Sequence, residues 1–190
     1  MSLLELATKT RSCRRFYEKE PISLDQLRSL VDLARLAPSE ANLQPLRYII
    51  SHNPGKNSGI FSCLGWAGYL TDWPGPVEGE RPAGYIIILG DTTLTREFDC
   101  EYGTAAQSIV FGATEMGFGS CMIGNIDKDR LAALLKIPSR YDVLLVIALG
   151  KPKEEIVLEE IKGGDVKYWR DEKQVHHVPK RPLSDLIFEP

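Results

Sequence analysis

The sequence predicts a protein of mixed helix and strand, and two patterns carry the prediction. Three short β-rich runs, Arg47–Ile50, Tyr85–Leu89 and Val143–Leu149, alternate with segments whose apolar residues recur at spacings of three and four. The second and third runs are apolar throughout, as strands covered on both faces are, so they read as interior strands.

Each element follows in turn. Ser2 with Glu5 makes a capping box, so Leu3 to Thr8 form a short helix that stops before the basic stretch Arg11 to Arg15. Ser23 with Gln26 repeats the signal. Behind it Leu24, Leu27, Leu30, Val31 and Ala34 make one buried helical face, and Pro38 sets its end. After the first strand, Asn53 to Ala83 is rich in Gly, Pro and aromatics without a period, and reads as an irregular covering loop. Glu101 to Met116 place Tyr102, Ala105, Ala106, Ile109, Val110 and Ala113 at helical spacing, with small residues crowding one side as a closely packed partner helix requires. Gly117 ends that helix before a tight strand, and Asp127 caps another through Lys136, stopped by Pro138. Beyond Gly163-Gly164 the chain turns polar and basic and finishes in an apolar segment, Leu183 to Phe188. Such a tail builds no core of its own and must lie across something else, a partner subunit being one candidate. The division expected is a core over 1–164 and an arm over 165–190 of the same domain.

At 190 residues and a net charge of −3, the chain has the size of one domain and no broad electrostatic footprint for nucleic acid or an anionic membrane. Glu5 and Lys9 break the first apolar run, which excludes a signal-peptide core, and no later run spans a bilayer. Four cysteines are scattered without a CxxC pair. That pattern suits reduced thiols in a cytoplasm better than a disulfide framework or a zinc site.

Several chemistries lose ground on motif grounds. No GxGxxG follows a strand and no phosphate-cradling Walker loop is present. The Gly117–Gly124 stretch has the wrong spacing for either; it reads as a helix end and tight strand, or as backbone able to approach a flat ligand. His176 and His177, adjacent in an extended chain, point opposite ways and cannot chelate one ion, so they read as solvated or packing residues and no metal is expected. No local signature of a hydrolytic triad or a carboxylate pair stands out. The cluster Arg11-Ser12-Cys13-Arg14-Arg15-Phe16 suits a phosphate, which favours guanidinium forks and a hydroxyl donor at short range, or equally a solvated charge run. Lys180-Arg181 is a second basic patch, and the two would make sense converging on one phosphate. In Ala37–Arg47, Pro38 leads into a polar turn where Ser39, Asn42 and Gln44 could face a heterocyclic edge, or only bond within the turn.

Taken together and in order, these segments resemble the FMN-dependent nitroreductases. RSCRRF is similar to that family's amino-terminal phosphate and flavin motif, and APSEANLQPLRYII to its APSxxNxQPWxF segment. GFGSCMIGNIDKDRLAALLKIP resembles its GxGSCWxG region, VLLVIALGKP its last core strand, and VPKRPLSDLIF its carboxy-terminal basic motif. The resemblance implies an α+β fold with a central mixed sheet flanked by helices, and a homodimer that exchanges carboxy-terminal arms and holds two FMN molecules at its interface. Carried over by motif, Arg11 and Ser12 hold the phosphate side, Lys180 and Arg181 close it, and Arg14 approaches the flavin pyrimidine. Pro38, Ser39, Asn42 and Gln44 line the ring and ribityl chain, often from the opposite subunit, and the backbone at Ile123-Gly124 faces the ring near N5. Three positions depart from the pattern: Thr10 stands for an Arg, Leu46 for a Trp and Met122 for an aromatic.

The implied activity is hydride transfer from NAD(P)H through FMN to small electron-poor acceptors such as nitroaromatics or quinones, by ping-pong turnover. No protein acid or base is expected to be catalytic, because the flavin carries the chemistry, with Arg14 as electrostatic stabiliser. Trp66, Tyr69 and Trp73 are the candidates for a substrate lid. The alternatives are other flavin chemistry on the same scaffold, such as ene reduction, dehalogenation or flavin cleavage, and a flavin-binding or redox-sensing module using Cys13, whose basic neighbours would lower its pKa.

Overall fold

The computed structural model describes residues 1–188. Helices α1 (Leu3–Lys9) and α2 (Leu24–Arg35) start where Ser2 and Ser23 accept from the third helical N–H while Glu5 and Gln26 reach back to the cap, completing both capping boxes. They are followed by β1 (Leu46–Ser51), α3 (Pro54–Phe61), β2 (Gly84–Asp91), α4 (Glu101–Glu115), β3 (Gly119–Ile123), α5 (Lys128–Leu135) and β4 (Tyr141–Gly150). Short strands β5 (Ile156–Glu160), β6 (Trp169–Arg170) and β7 (His176–Lys180) complete the described chain.

The central sheet runs β1-β2-β4-β3, so the two apolar runs are its interior strands. All pairs among these four strands are antiparallel, with a bulge at Ile88/Leu89. The mixed character that the resemblance implies enters at the β3 edge, where Ser12 bridges Ser120 in parallel. Side chains alternate across the sheet. Ile86, Ile88, Ile147 and Leu149 pack with Leu27 and Leu30 of α2 and with Ala105, Ala106, Ile109 and Ala113 of α4. Tyr85, Ile87, Leu89, Val146 and Ala148 pack on the other face with Ile60 of α3 and Leu131 of α5. Each fully buried Leu or Ile in these layers contributes roughly 1.5–3 kcal/mol.

Two expectations change. The stretch Asn53 to Ala83 is not irregular throughout: its first turns are α3, capped by the Asn53 side chain with Pro54 in the first turn. The segment after Gly164 does not leave the core wholesale either. Strand β7 pairs in parallel with β5, from Ile156–His176 to Glu160–Lys180, and antiparallel with β6, so a boundary at 165 falls inside a folded unit. Beyond it, Leu183, Leu186, Ile187 and Phe188 are exposed.

Candidate functional site

The site begins where α1 stops. Thr10 turns its hydroxyl onto Leu6 O at 2.8 Å and Thr114 Oγ1 at 2.9 Å, and the chain then runs extended beside β3, with Cys13 N donating to Ser120 O at 2.8 Å. Gly117, at φ +76°, lets α4 end in a Schellman-like turn, with Phe118 N bonding Ala113 O at 2.8 Å, before β3 starts. Gly119 lets the two strands meet, since a Cβ there would lie 2.8 Å from the Cys13 side chain.

This pairing divides the basic cluster. Arg15 forks onto Glu80, with Nε and Nη2 each at 2.7 Å, and Lys153 Nζ joins at 2.9 Å. The Arg15 bond first and the Lys153 bond second, against some burial, hold the Glu80 carboxyl down at about 2. Arg15 is thus a structural clamp on the loop before β2. Arg11, Ser12 and Arg14 instead line a cavity of about 330 Å³ together with Tyr168, His176 and Lys180. Arg11 donates to Ala7 O, but its Nε is buried without a partner among the described residues. Burial pushes the Arg11 guanidinium down from its usual value. An arginine keeps its charge all the same.

Arg14 is held from several sides. Its backbone N–H donates to the buried Glu154 carboxylate, which also takes Arg170 Nη2 at 2.9 Å. Its Nη1 lies 3.2 Å from Ser12 O and 3.1 Å from His176 Nε2, and the guanidinium sits 4.7 Å over the Tyr168 ring. His176 is wholly buried; burial first, then Arg14 and Arg170, pushes its pKa down to about 4. His177 faces elsewhere: it bonds Glu159 at 2.8 Å and stacks on Trp169 at 4.8 Å.

The polar turn forms a second cavity, of about 190 Å³, lined by Pro38, Ser39, Gln44, Arg47, Tyr48 and Glu101 among others. Ser39 Oγ donates to Glu101 at 2.9 Å and accepts from Gln44 N at 2.8 Å, so the turn does bond within itself. Ala41, Asn42 and Gln44 all adopt positive φ (46°, 57° and 50°) without being glycine. Strain of this kind persists where surrounding structure overrides it, and it clusters at binding sites. Asn42 is exposed and outside the residues lining that cavity. Within one chain the two cavities share no lining residue.

Other expected residues sort differently. Ile123 is buried at the end of β3 and Gly124 is exposed, and neither lines the first cavity; Ser120 and Met122 of the same strand do. Arg181 is exposed and lines neither cavity, although Lys180 lines the first. Of the lid candidates, Trp66 is half-buried, 5.7 Å from the Phe61 ring and packed against the core layer of α3 and α5, and it does not line the first cavity. Trp73 lies under Arg170 at 4.2 Å. Tyr69 does not line the cavity but packs on Tyr168, which does: their rings are 5.0 Å apart and its N–H reaches the Tyr168 hydroxyl at 3.4 Å. Cys13 is not the reactive thiol expected from its neighbours. It is buried, and burial first, then Glu154, pushes its pKa well up. Sequence reasoning missed Tyr168, His176 and Val178. Alternate residues on one strand would have found the last two, since 176, 178 and 180 share a face of β7.

Comparison with known proteins decides the lineage. The model of the Nitroreductase family matches residues 7–58 and 78–151, covering the basic segment, the polar turn and the central sheet. The chain belongs to the nitroreductase family. The gap in the match falls within the covering loop. Among relatives of this family member, the NADH dehydrogenase of Thermus thermophilus is 25% identical over 177 residues, covering 78% of this chain and 86% of that protein. DrgA of Synechocystis is 25% identical over 181 residues, covering 82% and 86%. A nitroreductase family protein of Streptococcus pneumoniae superposes over the full length of both chains, with a TM-score of 0.70 at 17% identity. An FMN-dependent nitroreductase of Clostridium difficile superposes with a TM-score of 0.67 at 24% identity, covering 86% of this chain and 92% of that one.

Proposed function

We propose that this nitroreductase family chain binds FMN between the subunits of a homodimer and carries hydride from NAD(P)H to small electron-poor acceptors such as nitroaromatics or quinones. The observation that carries this reading is the convergence of Arg11, Ser12, Arg14 and Lys180 on one cavity, with the buried Nε of Arg11 lacking a partner. Fixed guanidinium forks, an ammonium and a hydroxyl are the donor set a phosphate monoester selects, and an orphaned buried N–H costs about 1–3 kcal/mol until an acceptor arrives. The residues present therefore fit the phosphate of FMN.

In this reading Arg11, Ser12 and Lys180 hold the phosphate, with Arg181 closing over it. The second copy supplies Pro38, Ser39, Asn42 and Gln44, which accounts for the separation of the two cavities within one chain. The backbone at Ile123-Gly124 faces the ring. Bound FMN supplies the hydride acceptor and donor, so no side chain needs to act as nucleophile or general base. Arg14 presents a fixed positive charge where negative charge develops. Tyr168, with Tyr69 against it, forms one wall of the cavity. Buried thiols at Cys13, Cys63 and Cys121 suit the reducing cytoplasm in which we place the protein.

The purified protein is expected to be yellow, with one FMN per chain. Double-reciprocal plots of NAD(P)H oxidation at several quinone concentrations are expected to be parallel; colourless protein that takes up no FMN, or intersecting lines, contradicts the corresponding part of the reading.

A further inference from the structure

Resting on that reading, we propose that His176 is a positioning residue: as a neutral acceptor it fixes the Arg14 guanidinium at the cavity wall without cancelling its charge. Among the described residues no carboxylate pairs with the Arg14 guanidinium. The nearby carboxylate, Glu154, takes the Arg14 backbone N–H and the Arg170 guanidinium instead. The Arg14 side chain meets the carbonyl of Ser12, the Nε2 of His176 and the Tyr168 ring, all uncharged groups.

Arginine has only donors, so a 3.1 Å hydrogen bond from Arg14 makes Nε2 the acceptor and puts the ring proton on Nδ1, which is buried with no acceptor of its own among the described residues. A doubly protonated ring would set a third cation against Arg14 and Arg170, with the His176 side chain buried between them. The groups facing His176 agree: Arg14 from the amino-terminal segment, Arg170 from β6 and His177 beside it in β7 all disfavour a second proton, as does burial. Tyr168, 5.2 Å from the His176 ring and 4.7 Å beneath Arg14, fixes the planes of both. A carboxylate at this position would hold Arg14 as firmly but neutralise it. An imidazole holds it and leaves the charge free to stabilise reduced FMN.

Two substitutions separate reach from polarity. His176→Gln places an amide oxygen near the position of Nε2, whereas the shorter His176→Asn keeps an amide that stops near Nδ1. FMN binding by titration, the FMN midpoint potential and stopped-flow reduction by NAD(P)H are read on all three proteins. In His176→Asn the potential is expected to fall by about 30 mV, the two-electron equivalent of about ten-fold. Its reduction rate is expected to drop by a similar factor, while His176→Gln stays close to wild type. An unchanged potential in FMN-loaded His176→Asn, or an equal loss in both variants, overturns the role of His176 and leaves the FMN reading standing. Wild-type protein that binds no FMN overturns that reading instead. Imidazole nitrogen shifts of the wild-type protein, with or without FMN, decide the contact even if a variant misfolds. A neutral Nδ1–H tautomer at neutral pH supports it, and an Nε2–H tautomer or a protonated ring overturns it.

Discussion

Neighbouring arginines at 14 and 15 do opposite work because of what each meets. Arg15 spends its charge on Glu80, both being largely shielded, and Arg15→Ala is expected to cost about 1.5–3 kcal/mol in urea unfolding, the range for a hydrogen bond to a charged group. Arg14 keeps its charge for the cavity, so Arg14→Ala is expected to slow FMN reduction in stopped flow more than it weakens FMN affinity; equal rates in mutant and wild type would remove it from that role. Acid dependence follows from the same groups. Glu80 is held down at about 2 in the folded protein, so its contribution is present above its usual value and is lost as pH falls. His176, at about 4, also binds its proton more readily when unfolded, so its contribution is lost as pH falls below the usual histidine value. His177, raised by Glu159, acts in the opposite sense, adding stability at low pH that is lost as pH rises through its folded value. The Tm is expected to decline on acidification from neutrality, and His176→Gln should flatten the part of that decline between about pH 6.5 and about pH 4. The cluster at Arg11–Arg15 was legible from sequence, but its division was not, because which side chains face the cavity depends on the pairing of Ser12 with Ser120 across more than a hundred residues.

At the scale of elements, local signals were sufficient where they were strong. Both capping boxes, the apolar interior strands and the Asp127 cap stand where the sequence put them. Helix α3 was hidden because Gly55 and Gly59 dilute its period and its buried polar residue, Asn57, is paid for tertiarily by Ser51 Oγ at 2.7 Å and Ala83 O at 2.8 Å. The β5–β7 pairing was illegible for a related reason. Parallel strands need a crossover, and neither Ile156–Glu160 nor the polar tail carries a period strong enough to announce one. The junction of the amino-terminal segment with β3 is a close contact that bears directly on the site. A methyl group at Gly119 would lie 2.8 Å from both Cβ and Sγ of Cys13 and 3.2 Å from Pro152. Gly119→Ala is therefore expected to cost about 1–3 kcal/mol of stability. It should also weaken FMN binding by shifting Arg11 to Arg14, which urea unfolding and a fluorescence titration would read side by side.

For the whole molecule, the separation of the two cavities carries the dimer proposal. Exposed Leu3 and Leu4 on α1 and Leu183, Leu186, Ile187 and Phe188 beyond β7 are the apolar surface a partner would cover. A chain shortened to residue 182 retains both sheets. It is expected to stay folded by circular dichroism but to sediment as a monomer and to lose FMN; a truncated protein that remains dimeric and yellow would remove this arm from the interface. No helix among the described residues is long and apolar enough to cross a membrane.

The parallel strand at His176–Lys180 also orders events during synthesis. The elements it leans on, from Thr10 to Glu160, emerge from the ribosome earlier, so the two core layers can consolidate while the cavity still lacks its fourth wall. A nascent chain arrested before Tyr168 would have Arg11, Ser12 and Arg14 but lack Tyr168, His176 and Lys180, the other side of the cavity. On the proposed reading, flavin loading waits until translation has passed Lys180, which yellow colour in nascent chains of graded length would test.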